Sequence, residues 1–193
     1  MINNNQKRKG FTLVETLVSL FIFSIIAILS INFFISVLST QKRILQNQEL
    51  LNQSSYVLEY MAKAIRMAKK DLTGDCIGLA YAGQTYNVLG SSLTFLTYDI
   101  KDSSYKCLQF LLSSGAIEER RSTDNNFSNL GTAQSLTPSS VSIDNLWFNV
   151  IGDAVDTKQP KTTIVIKMTS LSLETNSPNV VVQTTISQRQ LDI

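Results

Sequence analysis

From Leu17 to Leu38 the chain runs LVSLFIFSIIAILSINFFISVL, twenty-two residues without a charge. At 1.5 Å per residue this makes about 33 Å of helix, enough to cross a bilayer. Its polar members include Ser19, Ser24, Ser30 and Ser36, whose hydroxyls are expected to bond back to the helix's own carbonyls. The apolar run is longer than a secretory signal peptide needs, and helical patterning continues after it, so a retained anchor is expected. Ser39 to Lys70 lacks Pro and Gly, and places Ile44, Leu51, Leu58 and Ile65 seven apart, with Met61 and Ala68 on a neighbouring row. That spacing predicts an amphipathic helix continuing the anchor, so that Thr12 to Lys70 forms one helix. The stripe is short and polar at Asn47 and Ser54, which favours packing on a sheet over a coiled coil. Lys63, Arg66, Lys69 and Lys70 gather where the helix dipole favours cations, and Asp71-Leu-Thr-Gly74 is a stop signal.

Beyond Gly74 the period shortens to that of strands. Runs at Ile77–Ala82, Thr85–Leu89, Leu93–Tyr98, Lys106–Leu112, Ala116–Arg121, Val141–Ile151, Thr162–Ser170 and Val180–Arg189 are separated by Gly-, Ser- and Asp-rich turns, as in an antiparallel meander. Ser122 to Ser140 is rich in Asn, Ser and Thr and is expected to be a surface loop. In the run from Thr162, Ile164, Ile166 and Met168 fall on one face, with Val165 and Lys167 on the other. A half-buried sheet and a helix with one apolar stripe need each other, so the predicted class is α+β, a long helix packed on an antiparallel sheet.

Length and charge narrow the function. The 193 residues suit one domain with an appendage. The formal charge is +2, from seventeen basic and fifteen acidic side chains. Lys7, Arg8 and Lys9 supply three of the seventeen, so the rest of the chain carries fourteen against fifteen and nucleic acid is not an expected partner. There is no histidine, which removes the commonest proton-transfer group and transition-metal ligand, and no nucleophile and base pair stands out. An enzyme is not expected, nor is a cofactor.

Between the basic cluster and the apolar run lies Lys7-Arg8-Lys9-Gly10-Phe11-Thr12-Leu13-Val14-Glu15. This resembles the leader of type IV prepilins and pseudopilins: a short basic segment ending in Gly, then Phe-Thr-Leu-x-Glu and an apolar stretch. The match covers about the first thirty residues. The resemblance implies that a prepilin peptidase cuts between Gly10 and Phe11 on the cytoplasmic side, and that the new N-terminus at Phe11 is methylated. It also implies that Glu15 serves assembly. A carboxylate at membrane depth is costly unless neutralised, and a neighbouring subunit's terminal amine would pair with it in a filament. The bland alternative is an ordinary acid at a helix N-terminus, favourable to the dipole. One departure stands at Asn32, where many major pilins carry a proline.

The later chain resembles, in short pieces, the J-type minor pseudopilins of type II secretion and the W-type minor pilins. Those pieces are Ile65-Arg66-Met67-Ala68, a Tyr98 strand leading to Cys107, Ile117-Glu-Glu-Arg120, and Gln183-Thr-Thr-Ile-Ser-Gln-Arg189. Together the resemblances imply a leader at 1–10, a transmembrane assembly segment at 11–38, an amphipathic helix at 39–73 and an extracytoplasmic β-rich domain at 74–193. The implied role is a minor subunit of a secretion pseudopilus or type IV pilus, held in the cytoplasmic membrane by a single pass. Its implied partners are the prepilin peptidase, other pilin subunits, the inner-membrane assembly platform and the lipid bilayer. An adhesive or DNA-uptake module on such a filament, using the 122–140 loop, is the alternative.

Cys76 and Cys107 leave two readings open. Oxidising surroundings would permit a bridge closing a loop of about thirty residues, worth roughly 3 to 4 kcal/mol in the chain-entropy model; two buried thiols account for them as simply. Asp71, Asp75, Asp99, Asp102, Asp144, Asp153 and Asp156 are spaced as turn residues rather than as a calcium loop, and no metal site is expected. Trp147, in Leu-Trp-Phe-Asn, is expected to anchor the core.

Overall fold

The computed structural model describes residues 10–99, 101–153, 159–171 and 177–189. Lys7 to Lys9 and Asp156 lie outside them. The chain divides into two units, Met1–Leu45 and Gln46–Ile193.

Helix α1 (Leu13–Arg66) contributes to both units and is unbroken, Asn32 included. Nothing in its 54 residues forces a break, because neither Pro nor Gly occurs. In the first unit the apolar side chains are exposed, and the helix is long and apolar enough to cross a membrane by length and composition. Ser19 Oγ donates to Glu15 O at 2.7 Å, Ser24 Oγ to Leu20 O at 2.8 Å and Ser30 Oγ to Ile26 O at 2.8 Å, so these hydroxyls are satisfied within the helix.

In the second unit the strands are β1 (Ala68–Lys69), β2 (Tyr86–Leu89), β3 (Ser92–Asp99), β4 (Ser104–Ser113), β5 (Ala116–Arg121), β6 (Gln134–Ser135), β7 (Val141–Ile151), β8 (Lys161–Ser170) and β9 (Asn179–Ser187). Among the described residues all pairings are antiparallel, and they form two sheets where one meander was expected. The first has the order β1-β3-β4-β5-β6, with β2 also on β3, and the second is β7-β8-β9. β1 and β2 share one edge of β3 end to end, since β1 pairs with Leu96 and Thr97 and β2 with Ser92 to Phe95.

One core joins the C-terminal part of α1 to both sheets. Leu50, Val57, Met61 and Ile65 of the helix, Phe95 and Phe110 of the first sheet, and Leu146, Ile164, Ile166 and Met168 of the second belong to it. Each such fully buried side chain contributes about 1.5 to 3 kcal/mol of transfer free energy. Phe95 and Phe110 meet at a tilt of 46° with ring centroids 5.9 Å apart, and Tyr60 meets Phe110 edge-on at 6.3 Å.

Four details depart from the expectations. The buried stripe runs through Leu50, Ser54, Val57, Leu58, Met61 and Ile65, while Ile44 and Leu51 are exposed. A strict heptad drifts about 20° per repeat around a straight α-helix, so the row projected back from Ile65 leaves the buried face. Ser54 is tolerated there because its hydroxyl donates to Leu51 O at 2.8 Å.

Second, α1 ends at Arg66 rather than Lys70, and Lys69 pairs in β1. The helix's final carbonyls find partners outside it: Tyr86 Oη donates to Ile65 O at 2.8 Å and Arg189 N to Arg66 O at 3.1 Å. Such substitutes are what a helix end requires.

Third, Ile77–Ala82 is no strand but a turn leading into a 3-10 helix at Leu79–Tyr81. The Ile77 N–H and C=O are taken by the Asp71 carboxylate and the Asn87 amide, at 3.1 and 2.8 Å, which leaves neither for a ladder.

Fourth, Trp147 lies on the outer face of β7 and is 48% exposed. The register shifts between Ile143 and Asn145, inserting Asp144 as a bulge. Without it, strict alternation from Val141 would turn Asn145, Trp147 and Asn149 inward. With it, Leu146 and Phe148 enter the core and both asparagine side chains are spared burial.

Candidate processing and assembly segment

Gly10, Phe11 and Thr12 precede the helix, and Phe11 is 79% exposed. Thr12 Oγ1 accepts from Glu15 N at 3.3 Å, and Thr12 O accepts from Thr16 N at 3.2 Å. Thr12 is therefore the N-cap and Glu15 the third helical residue, the Thr-x-x-Glu pattern of a capping box. The pattern stands in the sequence, although composition and periodicity alone do not single it out. It fixes the helix start two residues after Phe11. Glu15 lies in the first turn, where a carboxylate suits the positive end of the dipole, and it is exposed.

Gly10, Phe11 and Glu15 thus lie within one short segment: a non-helical, accessible Gly-Phe junction, a capped helix start, and an acid one turn in. From Leu17 to Leu38 the exposed faces are mainly apolar. A peptidase needs an accessible bond outside the helix, and a membrane segment needs its backbone satisfied internally; the segment provides both in sequence. Residues 5–31 match the family described as the prokaryotic N-terminal methylation motif. The chain carries a type IV pilin-like prepilin signal. Comparison with characterised proteins and with solved structures returned no match. The signal implies processing by a prepilin peptidase and assembly with other pilins, and the apolar helix that follows is compatible with membrane anchoring.

The remaining sites predicted from sequence lie in the β-rich unit. A disulfide joins Cys76 to Cys107, with Cα atoms 5.5 Å apart. It sits on the side of the first sheet away from α1, in a small cluster with Ile77, Leu96 and Leu130. The 122–140 segment is fastened there rather than loose. Ser122 Oγ accepts from Cys107 N at 2.7 Å, Phe127 N donates to Asp75 O at 3.0 Å, and Ser122 pairs with Leu130 as an isolated bridge.

The aspartates are scattered. Asp71 is buried, and its carboxylate accepts from the backbone N–H groups of Thr73, Gly74, Cys76 and Ile77. Burial pushes its pKa up, but the N–H groups of Ile77, Cys76 and Gly74 outweigh that and leave it below the usual value. Gly74 is required in this turn: its φ is +74°, and a Cβ would lie 2.9 Å from Gly78 O. Asp153, at the end of β7, accepts from Thr85 N and Tyr86 N at 2.8 Å each, so it ties the second sheet to the start of β2. Its burial raises its pKa despite those bonds. Asp99 and Asp102 pair with Lys106, and Asp144 with Lys167 at 3.6 Å. Among the described residues no group of three or more His, Cys, Asp or Glu side chains could hold a metal ion.

Proposed function

We propose that this chain is a structural subunit, a minor pilin or pseudopilin, of a type II secretion pseudopilus or type IV pilus. In this reading residues 1–10 are a leader removed between Gly10 and Phe11, Phe11 becomes the methylated N-terminus, and 11–38 hold the subunit in the cytoplasmic membrane by a single pass. The β-rich remainder lies outside the cytoplasm, where Cys76 and Cys107 are oxidised to the bridge. Glu15 supplies the charge that pairs with a neighbouring subunit's terminal amine.

The observation that carries the proposal is continuity. The signal at 5–31 runs without a break into a capped helix whose apolar faces are exposed and which is long enough to cross a bilayer. A soluble domain would have to bury those side chains, since contiguous apolar surface of this extent is not stable in water. Absence of histidine and a nearly neutral body agree with a structural rather than a catalytic or nucleic-acid-binding role.

The test is intact mass and N-terminal sequencing of the chain purified from its native membrane. A start at methylated Phe11 supports the reading. A chain that still begins at Met1 in cells with an active prepilin peptidase overturns it.

A further inference from the structure

β9 ends the second sheet, and its register with β8 tells which of its backbone groups are free. Ser170 N donates to Pro178 O and Gln188 N to Pro160 O, so the even-numbered residues of β9 exchange hydrogen bonds with β8. Bonded and non-bonded pairs alternate along an antiparallel ladder. The N–H and C=O groups of Asn179, Val181, Gln183, Thr185 and Ser187 therefore point away from β8. Among the described residues none of those groups has a hydrogen-bond partner.

The edge is also unguarded. Free edges normally carry a charge, a proline or a bulge, or are only a few residues long. Asn179–Ser187 has nine residues, no charge, no Pro or Gly, and no bulge against β8. On the inner face Val180 and Val182 are only half-buried at the rim of the core, and on the outer face Val181 is 60% exposed.

We propose that β9 pairs antiparallel with β9 of a second copy of this chain, about a two-fold axis at Gln183, so that two three-stranded sheets become one continuous sheet. Three observations select this occupant. Free backbone groups that recur at every second residue over about 30 Å match an extended strand and no compact ligand. The incoming strand must itself bring an open, uncharged edge of that length, and among the described strands β9 has one. β1, β2 and β6 are two, four and two residues long, and β7 turns its far edge to the first sheet, where Val141 N and Ile143 N donate to Pro138 O and Gly115 O. Finally, the strand is complementary to itself, as a two-fold contact requires. With Gln183 opposite Gln183, Val181 lies opposite Thr185 and Asn179 opposite Ser187, and all their outward groups find partners. On the inner face Val182 meets Thr184 and Val180 meets Ile186, which extends the core across the join, and no like charges are opposed.

The inference does not rest on the filament reading, and the two fail separately, since self-pairing is read on the purified chain and processing in cells. The full processed chain in detergent is oxidised mildly after single cysteine substitutions; the native cysteines are already joined to each other. Gln183→Cys should cross-link to its counterpart, because opposed Cα atoms in a hydrogen-bonded pair are about 5.5 Å apart, within disulfide reach. Asn179→Cys alone should not, since its counterpart lies about 27 Å away along the strand, but it should cross-link when mixed with Ser187→Cys. Adding Val181→Pro removes an outward N–H and leaves the β8 ladder intact. It should cut the Gln183→Cys yield at least about fivefold, the worth of one hydrogen bond, with unchanged circular dichroism. Gln183→Lys, which opposes two lysines at the axis, should shift the chain from dimer to monomer in sedimentation. No cross-link at Gln183→Cys, or one no stronger than that of Asn179→Cys alone, overturns the proposal. So does a Gln183→Cys product that forms only when a different pilin-type subunit is added, which would give the edge to that subunit's strand.

Discussion

Tyr60 on α1 donates its phenolic proton to the carboxylate of Glu119 on β5, and Glu119 in turn accepts from Arg121. This hydrogen bond joins the helix to the first sheet beside the Phe95–Phe110 pair. Burial, followed by the hydrogen bond to Glu119 and its negative charge, pushes the Tyr60 pKa up to about 12 from 10.0. Between those values the folded chain keeps a proton that the unfolded chain has lost, so Tyr60 contributes stability below pH 10 that disappears as pH rises through 12. Denaturant unfolding of the wild type and Tyr60→Phe should therefore differ by about 1.5 to 3 kcal/mol near neutrality, as for hydrogen bonds to charged groups. The difference should close above pH 12. A constant gap across that range would show that the hydroxyl does not titrate as described.

Asp71 and Asp153 are both carboxylates bound to backbone N–H groups, yet they make opposite predictions in acid. The Asp71 pKa is depressed, so its contribution is complete above the unfolded-state value of about 4 and is lost as pH falls through the lower folded value. The Asp153 pKa is raised by burial, so protonation favours the folded state as pH falls through its folded value. Asp71→Asn turns an amide donor toward N–H groups that need an acceptor and should cost about 2 to 3 kcal/mol at neutral pH. It should also flatten the acid limb of the stability curve, whereas Asp153→Asn should steepen it. Equal acid limbs in the two variants would contradict this assignment.

How much of this was legible in the sequence depends on whether a local rule or a tertiary partner decided each element. β5 and β7 begin and end where their turn residues predicted, and the alternation of Ile164, Ile166 and Met168 is the observed inward face of β8. Ile77–Ala82 has strand-like composition, but its fate depends on Asp71 and Asn87, and no local rule announces those contacts. Trp147 faces outward because a bulge at Asp144 reverses the phase, and periodicity alone does not locate a bulge. The Arg66 terminus depends on Tyr86 and Arg189, which arrive from elsewhere in the chain. At the N-terminus the Gly10-Phe11 junction and Glu15 were legible as a motif, and the Thr12 cap was equally written there as Thr-x-x-Glu.

The Cys76–Cys107 bridge spans a sequence separation of 31 residues, and a loop of that size is worth roughly 3.5 kcal/mol in the chain-entropy model. It also pins the 122–131 segment, because Cys107 N is shared between Ser122 and Asp124. The double variant Cys76→Ser with Cys107→Ser should lose about that much stability in denaturant, and amide exchange should accelerate first around Phe127 to Leu130. Even acceleration over both sheets, with no local excess there, would mean that the bridge does not anchor that segment.

Thr12 and Glu15 separate helix capping from assembly. The cap seen here runs from the Thr12 hydroxyl to the backbone N–H of Glu15, and does not use the Glu15 carboxylate as acceptor. Thr12→Ala should therefore weaken the helix start by about 0.5 to 2 kcal/mol, seen as faster exchange of the first-turn amides. Glu15→Gln should leave that exchange nearly unchanged, and processing at Gly10-Phe11 should continue. What Glu15→Gln should lose is incorporation into filaments, because a neutral amide cannot offset a neighbour's terminal ammonium in a medium where an unpaired charge is costly. Comparing processed subunit in sheared filaments with that left in the membrane measures this directly. If Glu15→Gln incorporates as well as the wild type while Thr12→Ala does not, helix geometry rather than charge pairing governs entry into the filament.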